Sequence, residues 1–150
     1  MSFAGLLANR VLITGLIAWS LAQVLKLPVE YLKTREWNWG LLISPGGMPS
    51  SHSALVSSIA LACGLYVGFD SAIFALAVAI AMVVSYDASG IRRQAGIQAQ
   101  RINILINEIF SGQPISQKNL KEVLGHTRLE VTGGILLGLA VALVLRLMWP

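Results

Sequence analysis

The sequence predicts an all-α integral membrane protein, with about four transmembrane helices and one amphipathic helix at the interface. Composition is the first observation: 55% of the 150 residues are hydrophobic, only 12% are charged, and the mean hydropathy is +0.70. Such a chain is too apolar for an ordinary soluble domain and too poor in charge for a disordered one. The second is that the apolar residues form long runs separated by short polar breaks. The third is Ile91 to Phe110, a mixed segment whose apolar residues recur at helical spacing. At roughly 20 residues per span, one membrane domain over residues 1–150 is expected. So small a bundle is compatible with completion by a second copy, as a homo-oligomer.

The first span covers roughly Val11 to Leu25, with a start near Phe3 also open. Arg10 stands at one end, Gln23 and Lys26 at the other, and Pro28 predicts a break or kink after it. The N-terminus does not read as a cleaved signal, because its apolar run continues too far beyond Arg10. Residues Glu30 to Gly40 set Tyr31, Trp37 and Trp39 beside Lys33 and Arg35, a membrane–water interface composition. After Gly46-Gly47, Ser50 or Ser51 caps a second helix that runs to about Val67 and is rich in Ala and Ser, as close packing requires. The turn Gly68-Phe69-Asp70-Ser71 is short enough to make this helix and the next an antiparallel hairpin.

The third helix runs from Ala72 to Tyr86 and is broken by Asp87-Ala88-Ser89-Gly90. In the amphipathic segment, Ile91, Ala95, Ile102, Leu105, Ile106 and Ile109 form one face. Arg92, Arg93, Gln94, Gln98, Arg101 and Asn103 form the other. This reads as an amphipathic helix that lies at the interface or packs over the loops, rather than a span. Ser111 to Gly125 is a polar connection, and the last span runs from about Leu129 to Met148. Gly134 and Gly138, four apart in it, predict close helix packing. Cys63 is the only cysteine and reads as a small core residue.

Threading these spans puts the N-terminus, the turn near Asp70 and the C-terminus at one end, with Arg10 and Arg146. The other end receives residues 26–50 and 86–128, with Lys26, Lys33, Arg35, Arg92, Arg93, Arg101, Lys118, Lys121 and Arg128. The positive-inside rule makes that cationic end cytoplasmic, in an inner or plasma membrane. Cations that bind an anionic substrate are not independent votes for that orientation.

The unusual polar residues share this cationic end: Lys26, Ser50, Ser51, His52, Asp87, Ser89, Arg92, Arg93, His126 and Glu130. Two histidines, a carboxylate and several cations make a phosphate-handling set, since Lys and Arg neutralise phosphate oxygens. The helix start at Ser50-Ser51 adds backbone N–H groups and hydroxyls. Plainer readings stand beside each: a capping or headgroup-facing His52, a snorkelling Lys26, an Arg101 facing lipid phosphates. His126 and Glu130 are four apart, so on a helix the carboxylate would hold one ring nitrogen and leave the other to react. Equally, Thr127-x-x-Glu130 is a capping box. The expected partners are membrane lipids and an anionic, phosphate-bearing substrate, with no nucleic acid, cofactor or metal.

Pro49-Ser50-Ser51-His52 resembles the P-S-G-H motif of the type-2 phosphatidic acid phosphatase superfamily, which includes the vanadium haloperoxidases. Gly125-His126-Thr127-Arg128-Leu129-Glu130 resembles its later H-x-x-x-D motif, with Glu for Asp. With Tyr86-Asp87-Ala88-Ser89-Gly90-Ile91-Arg92-Arg93, nearly the whole chain looks like a divergent, short branch of that superfamily. The resemblance implies a phosphatase or phosphotransferase acting on a lipid phosphate or pyrophosphate. His126 would be the nucleophile that forms a phosphohistidine, His52 the general acid and Glu130 the orienting carboxylate. Lys26, Ser50 and Ser51 would bind phosphate. The family's Arg-Pro and Ser-Arg pairs are absent: Thr34 follows Lys33, and position 120 is Leu. Arg92 or Arg93 would supply the missing charge, and Ser51 stands where the motif has glycine. These departures also fit a non-catalytic relative that binds an anionic headgroup or carries a lipid, or a structural subunit.

Overall fold

The computed structural model describes residues 3–43, 46–109 and 126–149. The expected connection Ser111 to Gly125, with Lys118, Leu120 and Lys121, lies outside the described residues. The helices are α1 (Phe3–Leu7), α2 (Arg10–Thr34), α3 (Ser51–Val67), α4 (Ala72–Ser89), α5 (Ile91–Ile109) and α6 (Arg128–Met148), with a 3-10 turn at Trp39–Leu42. The chain is an all-α membrane protein. The stretches Arg10–Thr34, Ala72–Ile106 and Arg128–Met148 are long and apolar enough to cross a membrane. The fourth expected span, α3, is a shorter apolar helix of 17 residues, about 25 Å at 1.5 Å per residue.

Of the break or kink expected at Pro28, the break does not occur: Pro28 lies inside α2, which continues to Thr34. Proline removes one N–H, whose helical acceptor is the Val24 carbonyl, and the other hydrogen bonds of a 25-residue helix remain available. A membrane-embedded segment has no better way to satisfy its backbone than to stay helical. Asn9 caps α2 by accepting from the Leu12 N–H at 3.0 Å. The helix closes at Arg35, in the left-handed region at φ 62°. Lys26 therefore sits inside a helix and not at its end.

The central element is α3, which packs against α2, α4 and α6. Its small residues explain this position. Ala54 joins Ala18 and Ala22 of α2 and Val141 of α6 in the buried core. Buried hydroxyls are satisfied at the backbone: Ser58 Oγ donates to the Leu55 carbonyl at 2.8 Å, and Ser57 Oγ crosses to the Ile135 carbonyl of α6 at 3.3 Å. The glycine pair does what its spacing predicts. A Cβ at Gly134 would strike the Ser50 carbonyl, and one at Gly138 would strike Ser57 Oγ and the Ala54 carbonyl.

The outward side of α4 exposes Ile73, Leu76, Ile80 and Val83, as a lipid-facing surface does. Helix α5 spans nearly the expected range and packs on α4. Asn103 of the expected polar face is buried, while Ile102, Leu105 and Ile109 of the apolar face are exposed. The packed stripe is narrow, with Gly96 and Asn103 on it, and the bulky apolar residues turn outward.

Both ends of the bundle are defined by contacts between distant residues. At one end, Arg10 Nη1 and Tyr66 OH each donate to the Trp149 carbonyl at 3.3 Å. The Arg146 guanidinium lies 5.3 Å from the centre of the Tyr66 ring. The start of α2, the end of α3 and the end of α6 thus meet, as the threading expected. The candidate site occupies the other end.

Candidate functional site

The site is built around the first turn of α6. Thr127 is its cap: Thr127 Oγ1 accepts from the Glu130 N–H at 3.3 Å, and the Thr127 N–H donates to Glu130 Oε2 at 2.9 Å. The same Oε2 lies 3.1 Å from His126 Nδ1. Cap and histidine partner were alternatives in the sequence; one carboxylate oxygen makes both contacts. The geometric reason differs from the expected one. His126 precedes the cap and is not on the helix. Glu130 reaches it because a capping box turns the carboxylate back over the helix start.

His126 is only 5% exposed. Its backbone N–H donates to the Ala88 carbonyl at 3.0 Å, which ties the start of α6 to the end of α4. With a proton on Nδ1 facing the carboxylate, the lone pair falls on Nε2, an atom that is itself buried.

His52 enters from the first turn of α3, half-buried. Its ring centre lies 6.3 Å from that of His126, with the planes at 58°. Between the two expected caps, Ser50 is the one used. Its Oγ accepts from the Ser53 N–H at 3.3 Å and from Ser53 Oγ at 3.1 Å. The Ser50 N–H donates to the Glu130 carbonyl at 2.9 Å, joining the starts of α3 and α6. Ser50, Ser51 and Ser53 are all buried. Before them stand a cis Met48–Pro49 bond and Gly47 at φ 89°, where a side chain is strained and glycine is not.

Lys26 comes to this cluster from α2 and is 1% exposed. A snorkelling lysine would reach outward; this one turns inward. Its aliphatic stem passes the Gly47 backbone, where an added Cβ would meet Lys26 Cδ at 3.5 Å, and its charge is attracted by Glu130.

Asp87 and Ser89 stand beside the site, on either side of the Ala88 carbonyl that accepts from His126. They also line a lateral groove between α4 and α6. Ser89 Oγ bonds back to the Ser85 carbonyl at 3.1 Å. Arg92 and Arg93 fall in the first turn of α5, and their side chains lie outside the described residues. Arg101 is exposed. Among the described residues no three His, Cys, Asp or Glu side chains gather as a metal site.

Three participants were missed in the sequence. Ser53 completes the Ser50 cap, and the Ser50-x-x-Ser53 spacing is the signal that would have found it. Gln23 Nε2 donates to the Leu42 carbonyl at 2.7 Å, pinning the 3-10 turn to α2 near Lys26; no sequence pattern marks that contact. The Ala88 carbonyl, a backbone acceptor, leaves no trace in side-chain chemistry.

The family described as "Divergent PAP2 family" matches residues 7–141. The uncharacterized membrane protein YuiD of Bacillus subtilis (strain 168) is 41% identical over 151 residues, spanning 93% of this chain and 96% of that protein. No solved structure matches.

Proposed function

We infer the function of this chain from the premise that it belongs to the divergent PAP2 family: it is a membrane-embedded phosphatase or phosphotransferase for a lipid phosphate or pyrophosphate. The observation that carries this reading is the His52–His126 pair, 6.3 Å between ring centres, with one ring held by a carboxylate. Two groups that each reach about 3 Å by hydrogen bonding or in-line attack can flank one phosphorus from opposite sides at such a spacing.

In the proposed reaction His126 Nε2 attacks phosphorus. The bond to the leaving oxygen breaks as His52 delivers a proton to that oxygen. Glu130 keeps the Nδ1 proton in place and stabilises the positive charge that the imidazole acquires. Water then attacks the phosphohistidine, with His52 now taking a proton, and phosphate leaves. Lys26, Ser51, the backbone N–H groups at the start of α3 and Arg92 or Arg93 hold the phosphate oxygens. The charge distribution supports a site on the cytoplasmic face.

The test is phosphate release from phosphatidic acid or an isoprenyl pyrophosphate by the detergent-purified chain. The expected result is that His126→Ala lowers turnover by at least about 1,000-fold and abolishes acid-labile labelling of the protein by radioactive phosphate. Full activity in His126→Ala would overturn the assignment. A second reading, headgroup binding or lipid carriage without chemistry, is favoured by Ser51, whose buried side chain replaces the motif glycine beside the phosphate position. Lipid-phosphate stabilisation without turnover in the wild-type chain would select it.

A further inference from the structure

The seam between α4 and α6 opens sideways as a groove of about 930 Å³, within the range of sites that hold small organic ligands. Its lining is graded by depth. Met82 and Val83 on α4 and Val131 on α6 form apolar walls, Ser85 and Thr132 lie at the same depth, and Ser89 and Arg128, at the helix ends nearest His126, stand toward the histidine end. Both helices belong to stretches apolar enough to span a membrane. The apolar end therefore lies at bilayer depth, where hydrocarbon chains are the molecules on hand. Arg128 is exposed at the other end, where a cation complements a phosphate headgroup; the Thr132 hydroxyl is committed to the Arg128 carbonyl at 2.9 Å. Asp87, on the α4 side of that rim, is engaged in a polar interaction of its own.

The groove and the site share backbone. Ala88, between Asp87 and Ser89, accepts the His126 N–H at 3.0 Å, and Val131 directly follows Glu130. The polar end of the groove is thereby next to His126.

We propose that this groove holds the headgroup-proximal part of a hydrocarbon chain of the substrate and guides its phosphate from the bilayer to His126. The identity of the headgroup rests on the function proposed above; the chain site rests on the groove itself. From Met82 to Ser89 the α4 wall is about 10 Å long at 1.5 Å per residue. It grips only the first part of a long chain and leaves the rest in the bilayer.

The test uses phosphatidic acid with a photoactivatable group in the acyl chain near the glycerol, in phosphatidylcholine vesicles carrying the full chain. Labelled residues are mapped by mass spectrometry. Labelling is expected to concentrate on Met82, Val83 and Val131. Val83→Trp and Thr132→Trp, each filling the groove from an exposed position, are expected to lower it about tenfold, while the thermal shift caused by vanadate is retained. Two variants on different helices guard against loss of fold in one, and the unfolding midpoint reports that directly. Label spread evenly over Ile73, Leu76 and Ile80 as well would overturn the proposal, as would label indifferent to both tryptophans. Crosslinks from the groove to a second copy of the chain would assign it to an oligomer interface instead. Groove labelling without phosphate release would leave the chain site standing and remove the phosphatase reading, so the two fail separately.

Discussion

Glu130 shows how one side chain serves fold and site together. Its Oε2 satisfies the Thr127 N–H and His126 Nδ1, so substitutions can separate the two duties. Glu130→Gln keeps an oxygen for the cap but loses the charge that stabilises a protonated His126. Turnover is expected to fall about 100- to 10,000-fold with a nearly unchanged unfolding midpoint. Glu130→Ala loses the cap as well and is expected to cost about a further 1 kcal/mol of stability, read as a lowered midpoint in detergent. Equal midpoints in the two variants would show that the cap is not carried by Oε2. Lys26 poses the opposite case. An ammonium as buried as that of Lys26 costs desolvation that an apolar side chain of similar length does not. Lys26→Met is expected to leave the midpoint unchanged or raise it, while weakening vanadate or lipid-phosphate binding by about 10- to 100-fold. Titration of the purified variant measures both effects.

At the scale of elements, the α3–α6 seam decides the site, because His52 and His126 each stand at the start of one of these helices. Their approach depends on two positions without side chains. Gly134→Ala and Gly138→Ala place a methyl group against the Ser50 and Ala54 carbonyls, which are backbone and cannot swing away. Each is expected to destabilise by about 1–3 kcal/mol and to reduce activity by moving the histidines apart. Gly133→Ala is the control: there a Cβ would meet the end of Met48 at 3.3 Å and Pro49 Cβ at an ordinary 3.9 Å, and a flexible methionine yields. Thermal unfolding of the three variants checks the order. The glycine spacing was legible in the sequence, and so were the bounds of α3 and α6 to within a residue or two. The run of α2 through Pro28 was not, since proline carries a local preference that the surrounding apolar helix overrides. Which face of α5 packs on α4 was also hidden, because lipid is as apolar a neighbour as protein and periodicity does not tell them apart.

For the whole molecule, the arrangement gives one cationic, polar end and one aromatic end closed by Arg10, Tyr66, Arg146 and Trp149. Orientation follows as a prediction from the charge count. In a Cys63→Ser background, Arg35→Cys and Asp70→Cys are expected to react with membrane-impermeant thiol reagents from opposite sides, position 35 from the cytoplasm. The reverse pattern in intact cells would place the histidine pair outside and would mean that the cations serve the phosphate rather than the topology.

The sequence by itself determined the class and the ends of the molecule. Composition required helices in a bilayer, turn residues located their boundaries, and charge placement gathered Lys26, His52, His126 and Glu130 on one side. These are local or additive properties, and a single chain displays them directly. Only the tertiary structure decided which polar residues meet. It turned Lys26 inward, drew His52 to 6.3 Å from His126, made one oxygen of Glu130 both cap and histidine partner, and set Asp87 and Ser89 beside a lateral groove. Those outcomes depend on helix rotation and on backbone acceptors such as the Ala88 and Ser50 carbonyls. Packing sets both, and no residue type records them.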